Sequence, residues 1–162
     1  MVKILKEQAI ELENLKQRLI ERRKLISNEF SKGEVINGDY TAFVQNTDYD
    51  DYAELLSVLK EIEEIDTKIK TARVIKANKG DIIDIGSAVK VKISGRDNLF
   101  DFVLVEERTG LSQNHISINS PLGKSVVGKM AGDEFNYHVD ASNIDVSGKI
   151  VKVGYQKVKK NK

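Results

Sequence analysis

The chain has 162 residues and a formal net charge of +1, which is the length of one domain or two small ones and gives no general case for nucleic-acid or membrane binding. Charged residues make up 31% and aromatic residues 6%, with no tryptophan and no cysteine, which favours solvated helices and excludes disulfides, a thiolate nucleophile and a zinc–thiolate site. No apolar run approaches the ~20 residues of a membrane span, and the first ten residues lack the apolar core of a signal peptide. A cytoplasmic protein without membrane contact is therefore expected.

Apolar residues follow helical spacing through most of the first 75 residues. One set is spaced by seven: Leu5, Leu12, Leu19 and Ile26. A second set alternates by three and four: Leu55, Val58, Ile62, Ile65, Ile69 and Ala72. These are coiled-coil seams, and a stripe so narrow needs one partner of the same kind. The sequence therefore predicts two helices that pair antiparallel, with Arg22 interrupting the first seam.

The break between the two helices is acidic. From Gly33 to Leu59 there is no lysine or arginine, whereas there are six carboxylates: Glu34, Asp39, Asp48, Asp50, Asp51 and Glu54. Thr47 or Asp48 can cap the second helix, and carboxylates in its first turn suit the helix dipole. Capping needs only one such residue, so it does not account for the missing cations. The predicted acidic tip covers about residues 31–51.

From about Lys76 the apolar period changes from helical spacing to two, which is typical of half-buried strands. Strands are predicted at 87–94, 100–106, 115–118, 134–139 and 149–155, and Pro121 fits the first turn of a short helix ending near Gly128. The prediction is an α+β fold, with a helical hairpin over 1–75 and a mostly antiparallel β domain with one short helix over 76–162. By count, 1–75 holds 12 basic and 15 acidic residues and the remainder 14 and 10. The halves therefore carry −3 and +4, and the second ends in a basic tail.

The second half also resembles a known family. The segment ISINSPLGKSVVGKMAGDE (116–134) is similar to the bacterial Gre factor signature, roughly ISxxSPxGxALxGKxxGDE. It shares Ser120, Pro121, Gly123, Gly128, Lys129, Gly132 and Asp133 without a gap. Gly86-Ser87, FVLVEE (102–107) and ARVI (72–75) resemble further family segments, so the likeness covers most of 72–155. The resemblance implies a coiled-coil hairpin followed by an FKBP-like domain.

The resemblance to Gre factors also implies a function. Such factors dock on RNA polymerase through the globular domain and insert the hairpin into its secondary channel, near the nascent RNA. Carboxylates at the hairpin tip then help the polymerase hold a second Mg²⁺ and its attacking water, and the polymerase cleaves backtracked RNA. On this interpretation the chain is a monomeric accessory factor, not an enzyme, and binds no cofactor stably by itself. The docking residues implied are Ser120, Pro121, Gly123, Lys124, Gly128, Lys129, Gly132 and Asp133.

The tip residues depend on how TDYDDYAEL (47–55) is laid on the family's tip, which reads approximately GDLSENAEY. The ungapped alignment makes Asp48 and Asp51 the metal-assisting pair, with Asp50 and Asp39 as secondary candidates. A rival alignment matches Gly38-Asp39 but places Ala42 where the family has glutamate. The first alignment is preferred because it keeps both carboxylates.

Three other functions remain open on the sequence. The first is a Gre-like secondary-channel inhibitor that does not stimulate cleavage. The second is an FKBP-type prolyl isomerase, which needs an aromatic-lined pocket. Its aromatic candidates are Phe100, Phe102, Phe135, Tyr137 and Tyr155. The third is a coiled-coil scaffold that dimerises through 1–75, although this leaves the acidic tip unexplained.

Some further residues have ordinary roles as the simplest interpretation. His115 and His138 lack partners at metal-ligand spacing. The run Arg22-Arg23-Lys24 suits a solvated helix face, with contact to the polymerase channel or RNA phosphates as the alternative. Lys124 and Lys129 fit either docking or solubility.

Overall fold

The computed structural model describes residues 1–31 and 49–155, with side chains described for 1–28 and 52–155. In chain order the elements are β1 (Lys3–Leu5), α1 (Lys6–Ser31), α2 (Tyr49–Thr71), β2 (Arg73–Ile75), β3 (Ala88–Ile93), β4 (Leu99–Val105), β5 (His115–Ser117), α3 (Pro121–Val126), β6 (Glu134–Val139) and β7 (Ile144–Gly154). They form two compact units. One is Ile10–Thr71, and the other joins Met1–Ala9 to Ala72–Lys162.

The helical unit is an antiparallel pair. Lys16 of α1 contacts Asp66 of α2, and Arg22, further along α1, contacts Glu54, which is earlier in α2. Partner numbers fall along one helix as they rise along the other, so the helices run in opposite directions. The predicted seams are buried where heptads place them, at Leu12, Leu19, Ile26, Val58 and Ile65. The predicted antiparallel hairpin is confirmed.

The first residue of the predicted seam, Leu5, is not part of the helical pair, and this assignment was wrong. Leu5 ends β1, and it packs with Val103 and Val105 of the β domain. Strand β1 pairs parallel with β2, Leu5 lying opposite Ile75. Strand β1 has three residues, which is too short to show the alternation of apolar and polar side chains that marks a strand. The spacing of seven residues between Leu5 and Leu12 therefore does not mean that both belong to one helical seam.

The β unit is built on a five-stranded sheet of order β5-β4-β3-β7-β6. The pairs β3–β4, β3–β7 and β6–β7 are antiparallel, and β4–β5 is parallel. All five predicted strands are present, together with the short helix. The mostly antiparallel sheet with one short helix is therefore confirmed, although β7 begins earlier than the sequence indicated.

One face of this sheet packs against α3 to form the main core. The core residues are Ile83, Val89, Val91, Phe102, Leu104, Leu122, Val126, Phe135 and Ile150. Burial of apolar side chains of this size contributes roughly 1.5–3 kcal/mol each relative to exposure. The packing positions α3, and with it the segment that carries the family signature.

Candidate functional site

The acidic tip lies largely outside the described part of the chain. Asp39 and Asp48 fall outside the described residues. Helix α2 begins at Tyr49, so Asp50 and Asp51 are its second and third residues, and their side chains are not described. The pairing of Asp48 with Asp51 therefore stays a prediction.

The hairpin that carries this tip is held by ion pairs across the two helices. Asp66 accepts from Lys16 Nζ at 2.6 Å and lies 2.5 Å from Lys70 Nζ. The hydrogen bond from Lys16, followed by that from Lys70, lowers the pKa of Asp66 below its ordinary value. The hydrogen bond to Asp66 in turn raises the pKa of Lys16. The contact between Lys16 and Asp66 links α1 to α2 and fixes their register along the middle of the hairpin, whereas Lys70 contacts Asp66 within α2 itself.

The basic run 22–24 is divided between two roles. Arg22 interrupts the apolar seam, but its Nε donates to Glu54 Oε1 at 2.8 Å, so its side chain links α1 to α2. Arg23 and Lys24 are exposed and present two cations on α1.

The predicted docking segment starts with a helix cap. Ser120 Oγ accepts from Gly123 N at 3.1 Å and donates to Ser117 O at 2.7 Å, and Pro121 occupies the first turn. Gly123 is buried, and a Cβ there would lie 2.1 Å from Ser117 O. Gly123 therefore serves close packing of α3 against β5, while the exposed Pro121 and Lys124 face solvent.

The rest of this segment is tied to the domain through its backbone. Gly128 N donates to Ile83 O, and Ile83 N donates to Lys129 O, both at 2.8 Å. Gly132 N donates to Ile150 O at 2.7 Å. These bonds hold the turn after α3 against β7 and the residues before β3.

Asp133 closes the same turn with its side chain. Its Oδ2 accepts from Met130 N at 2.9 Å, and its carbonyl oxygen accepts from Ile150 N at 2.9 Å. Much of the sequence signature thus has a structural role. Of its residues, Pro121, Lys124, Gly128, Gly132 and Asp133 are exposed.

Ser120 and Pro121 line a groove of about 650 Å³. Its apolar lining includes Phe100, Ile116, Leu122, Tyr137 and Ile144. Phe100 and Ile144 are 38% and 53% exposed, so a partner can reach this apolar surface. Grooves lined mainly by apolar side chains with a few polar groups are the usual form of a binding site.

The aromatic residues considered for a prolyl isomerase pocket are dispersed. Phe102 and Phe135 are 1% and 3% exposed and belong to the core. Tyr155 lies away from the groove, with Lys79 Nζ 5.2 Å from its ring centroid. Phe100 and Tyr137 are the two of the five that line the groove.

The histidines do not form a metal site in the described part of the chain. His115 is buried in β5, and His138 Nδ1 lies 2.7 Å from Asp145 Oδ1. Among the residues that the structure describes, no group of three histidine, aspartate or glutamate side chains is placed to hold a metal ion. No helix in the same residues is long and apolar enough to cross a membrane.

The fold thus defines a class of protein in which a helical hairpin is joined to a small, mostly antiparallel β domain. Comparisons with known proteins identify the family. Residues 77–155 match the family described as transcription elongation factor, GreA/GreB, C-term. Transcription elongation factor GreA of Clostridium novyi (strain NT) is 32% identical over 133 residues, covering 80% of this chain and 79% of that protein. The chain belongs to the GreA/GreB family of transcription elongation factors.

Two further likenesses are weaker, one because it covers less of the chain and the other because its sequence identity is lower. Transcription elongation factor GreA of Clostridium acetobutylicum is 31% identical over 99 residues, which cover 59% of this chain and 63% of that protein, somewhat less than two thirds of its length. The solved structure of the transcription elongation factor GreA/GreB from Nitrosomonas europaea is 18% identical, with a TM-score of 0.39. The match covers 96% of this chain and 100% of that one.

Proposed function

We propose that this chain is an accessory factor of bacterial RNA polymerase that stimulates cleavage of backtracked RNA. The globular domain docks on the polymerase, the hairpin enters the secondary channel, and the polymerase itself cuts the RNA. The observation that carries the proposal is the antiparallel hairpin of a GreA/GreB family member, in which the predicted acidic tip falls where the chain passes from α1, ending at Ser31, to α2, beginning at Tyr49. The cross-helix pairs Lys16–Asp66 and Arg22–Glu54 support it by holding α1 and α2 in register.

The working groups of the tip are proposed to be the carboxylates of Asp48 and Asp51, with Asp50 and Asp39 as substitutes. Carboxylate oxygens are the donors that Mg²⁺ prefers, so these residues suit an ion shared with the polymerase active centre. When bound, the ion supplies a Lewis acid that lowers the pKa of water. The chain's own part is to bring two anionic oxygens to that ion. The absence of lysine and arginine from 33 to 59 means that no neighbouring cation on this segment repels it.

Docking is proposed to use the apolar groove bordered by Ser120 and Pro121. Phe100 and Ile144 are exposed there, and exposed apolar clusters of this kind are typical of protein interaction sites. Lys124 and Lys129, near the same helix, are proposed to contribute charge at the edge of the contact.

The test is RNA 3′-end cleavage in a stalled, backtracked elongation complex with the polymerase of the source organism. Wild type is expected to raise the cleavage rate. Asp48→Ala and Asp51→Ala are each expected to lower the stimulation roughly 10- to 100-fold, the range typical of losing a group that supports a bound metal. Glu61→Ala is the matched control, because it removes an exposed carboxylate from α2 outside the acidic tip.

Other results of these experiments would support one of the alternative functions or a different pair of tip carboxylates. Binding without cleavage, or slower RNA extension, would make the chain a secondary-channel inhibitor. Loss of cleavage in Asp50→Ala or Asp39→Ala, with Asp48→Ala active, would move the working pair. Accelerated isomerisation of a proline peptide would support an isomerase. Sedimentation of a dimer held by residues 1–75, where a monomer is expected, would support a scaffold.

A further inference from the structure

Two lysine pairs lie directly opposite each other on the two strands at the centre of the sheet. Lys92 of β3 is opposite Lys149 of β7, and Lys90 is opposite Lys152. The residues between them on β3, such as Val91, face the core, so the lysines share the other face of the sheet. These four residues are called the lysine face below.

A bulge in β7 creates this arrangement. The register shifts between Lys90 and Val91 of β3: Lys90 is opposite Lys152, Val91 is opposite Ile150, and Val151 of β7 is the extra residue. In a regular strand, residues three apart point to opposite faces. The extra residue therefore brings Lys152 to the same face as Lys149.

Directly opposed like charges are destabilising in a sheet. Lysines are common on edge strands, where they prevent pairing with other sheets, but β3 and β7 are the third and fourth of five strands. Protection of an edge therefore does not explain the lysine face.

Carboxylates neutralise this charge only in part. Lys90 Nζ lies 3.6 Å from Asp101 Oδ2. Glu134 is opposite Lys149 on its other side, yet in the described residues no ion pair within 4.0 Å involves Lys149, Lys92 or Lys152. Three ammonium groups are thus left for solvent or a ligand.

The lysine face adjoins a concavity of about 750 Å³ that Lys92 and Lys149 also line. The other charged residues of its lining are Lys124, Lys129 and Glu134. Four lysines and one carboxylate give the lining an excess of positive charge, and charge of one sign around a concave surface attracts counter-ions of the other sign.

We propose that the lysine face and this concavity bind the phosphate backbone of nucleic acid without reading its sequence. Lysine acts as a point charge that suits phosphate, whereas planar, bidentate recognition of carboxylates favours arginine. No arginine belongs to the lysine face or the described lining. Phe135, the aromatic residue in that lining, is 3% exposed, so bases cannot stack on it as they do in single-strand binding grooves.

The physics of counterion release sets the expected size of the effect. Four phosphate contacts to a single strand give a slope of log K against log salt of about −2.8, at ~0.7 per contact. Affinity then falls roughly 50-fold between 50 and 200 mM salt, and the Kd at physiological salt lies in the non-specific range of about 10⁻⁴–10⁻⁶ M.

The experiment measures binding of the full chain to a labelled single-stranded 20-nucleotide RNA, and to DNA of the same sequence, across a salt series. Lys92→Gln with Lys149→Gln is expected to reduce the slope by about 1.4. The same double variant is expected to keep or raise the thermal unfolding midpoint at low salt, because it removes an opposed pair of like charges. Arg23→Gln with Lys24→Gln removes the same charge from α1 and is expected to keep the slope.

Four results would overturn the proposal. An unchanged slope in the Lys92/Lys149 variant would do so, as would loss of binding in the Arg23/Lys24 variant instead. Loss only after Lys157, Lys159, Lys160 and Lys162 are changed to glutamine would assign binding to the C-terminal tail. Equal affinity for polyglutamate would assign an acidic protein partner. Equal slopes for RNA and DNA would support backbone recognition, and a 2′-hydroxyl preference would add RNA selectivity to it. Binding is measured without RNA polymerase, so its outcome is independent of the proposed function.

Discussion

Substitution of Gly123 by alanine tests whether the signature segment is positioned by close packing. The added Cβ would lie 2.1 Å from Ser117 O and 2.9 Å from Ile118 Cα. Ordinary contacts between heavy atoms are about 3.5–4.0 Å, so a full relief of the 2.1 Å contact requires α3 and β5 to separate by about 1.4 Å. That movement stretches the hydrogen bonds of Ser120 to Gly123 N and Ser117 O.

The magnitude follows from three contributions. Overpacking costs about 1–3 kcal/mol, and a lost N-cap costs about 1 kcal/mol. The higher helix propensity of alanine returns up to about 1 kcal/mol. The expected net loss is about 1–4 kcal/mol, which lowers Tm by roughly 5–30 °C for a domain of about 100 residues.

Differential scanning calorimetry of the full chain measures this loss in the transition of the β unit. Gly154→Ala is the matched control, because a Cβ there meets nothing within 4 Å, and its stability is expected to equal or slightly exceed that of wild type. A Gly123→Ala protein within ~0.5 kcal/mol of wild type, the range of ordinary surface changes, would refute the packing argument.

Two further predictions concern a buried amide and a partly exposed ion pair. Gln8 is fully buried; its Oε1 accepts from Leu5 N and its Nε2 donates to Glu107 O, both at 3.0 Å. Gln8→Leu leaves both backbone groups unpaired and is expected to cost roughly 2–4 kcal/mol in urea unfolding; no change would show that water replaces the amide. The lowered pKa of Asp66 means that its stabilising contribution is present above the ordinary aspartate pKa of about 3.9 and is lost as pH falls through the lower folded-state value. In acid titrations followed by circular dichroism, Asp66→Asn is therefore expected to lower hairpin stability at neutral pH and to reduce its acid-dependent part; an unaltered titration would contradict the role of the pair with Lys16.

The helical hairpin and the family signature could both be predicted from the amino-acid sequence. Heptad spacing predicts which side chains of α1 and α2 are buried because each helix presents one stripe to one partner, as Leu19 and Ile65 show. The signature at 116–134 predicts the family because its spacing is specific. The acidic tip was also found by sequence, although Asp48 lies outside the described residues and its role stays a prediction.

The placement of Leu5 and the packing role of Gly123 could not be predicted from local sequence pattern, because both depend on contacts that form only in the folded chain. Leu5 fits a helical seam in sequence, and only its parallel pairing with Ile75 and packing on Val105 place it in the β unit. The docking role expected of Gly123 likewise came from sequence, whereas burial against Ser117 gives it a packing role.

The period of apolar residues along the chain thus determined the two architectures, helical pair and sheet, because burial of one face imposes that period locally. The lysine face was decided by tertiary structure. Strict alternation would place Lys149 and Lys152 on opposite faces, and the bulge at Val151 exists only in the pairing of β7 with β3. Strand register depends on the partner strand as well as on the strand itself, so such a charged surface emerges only when the sheet is assembled.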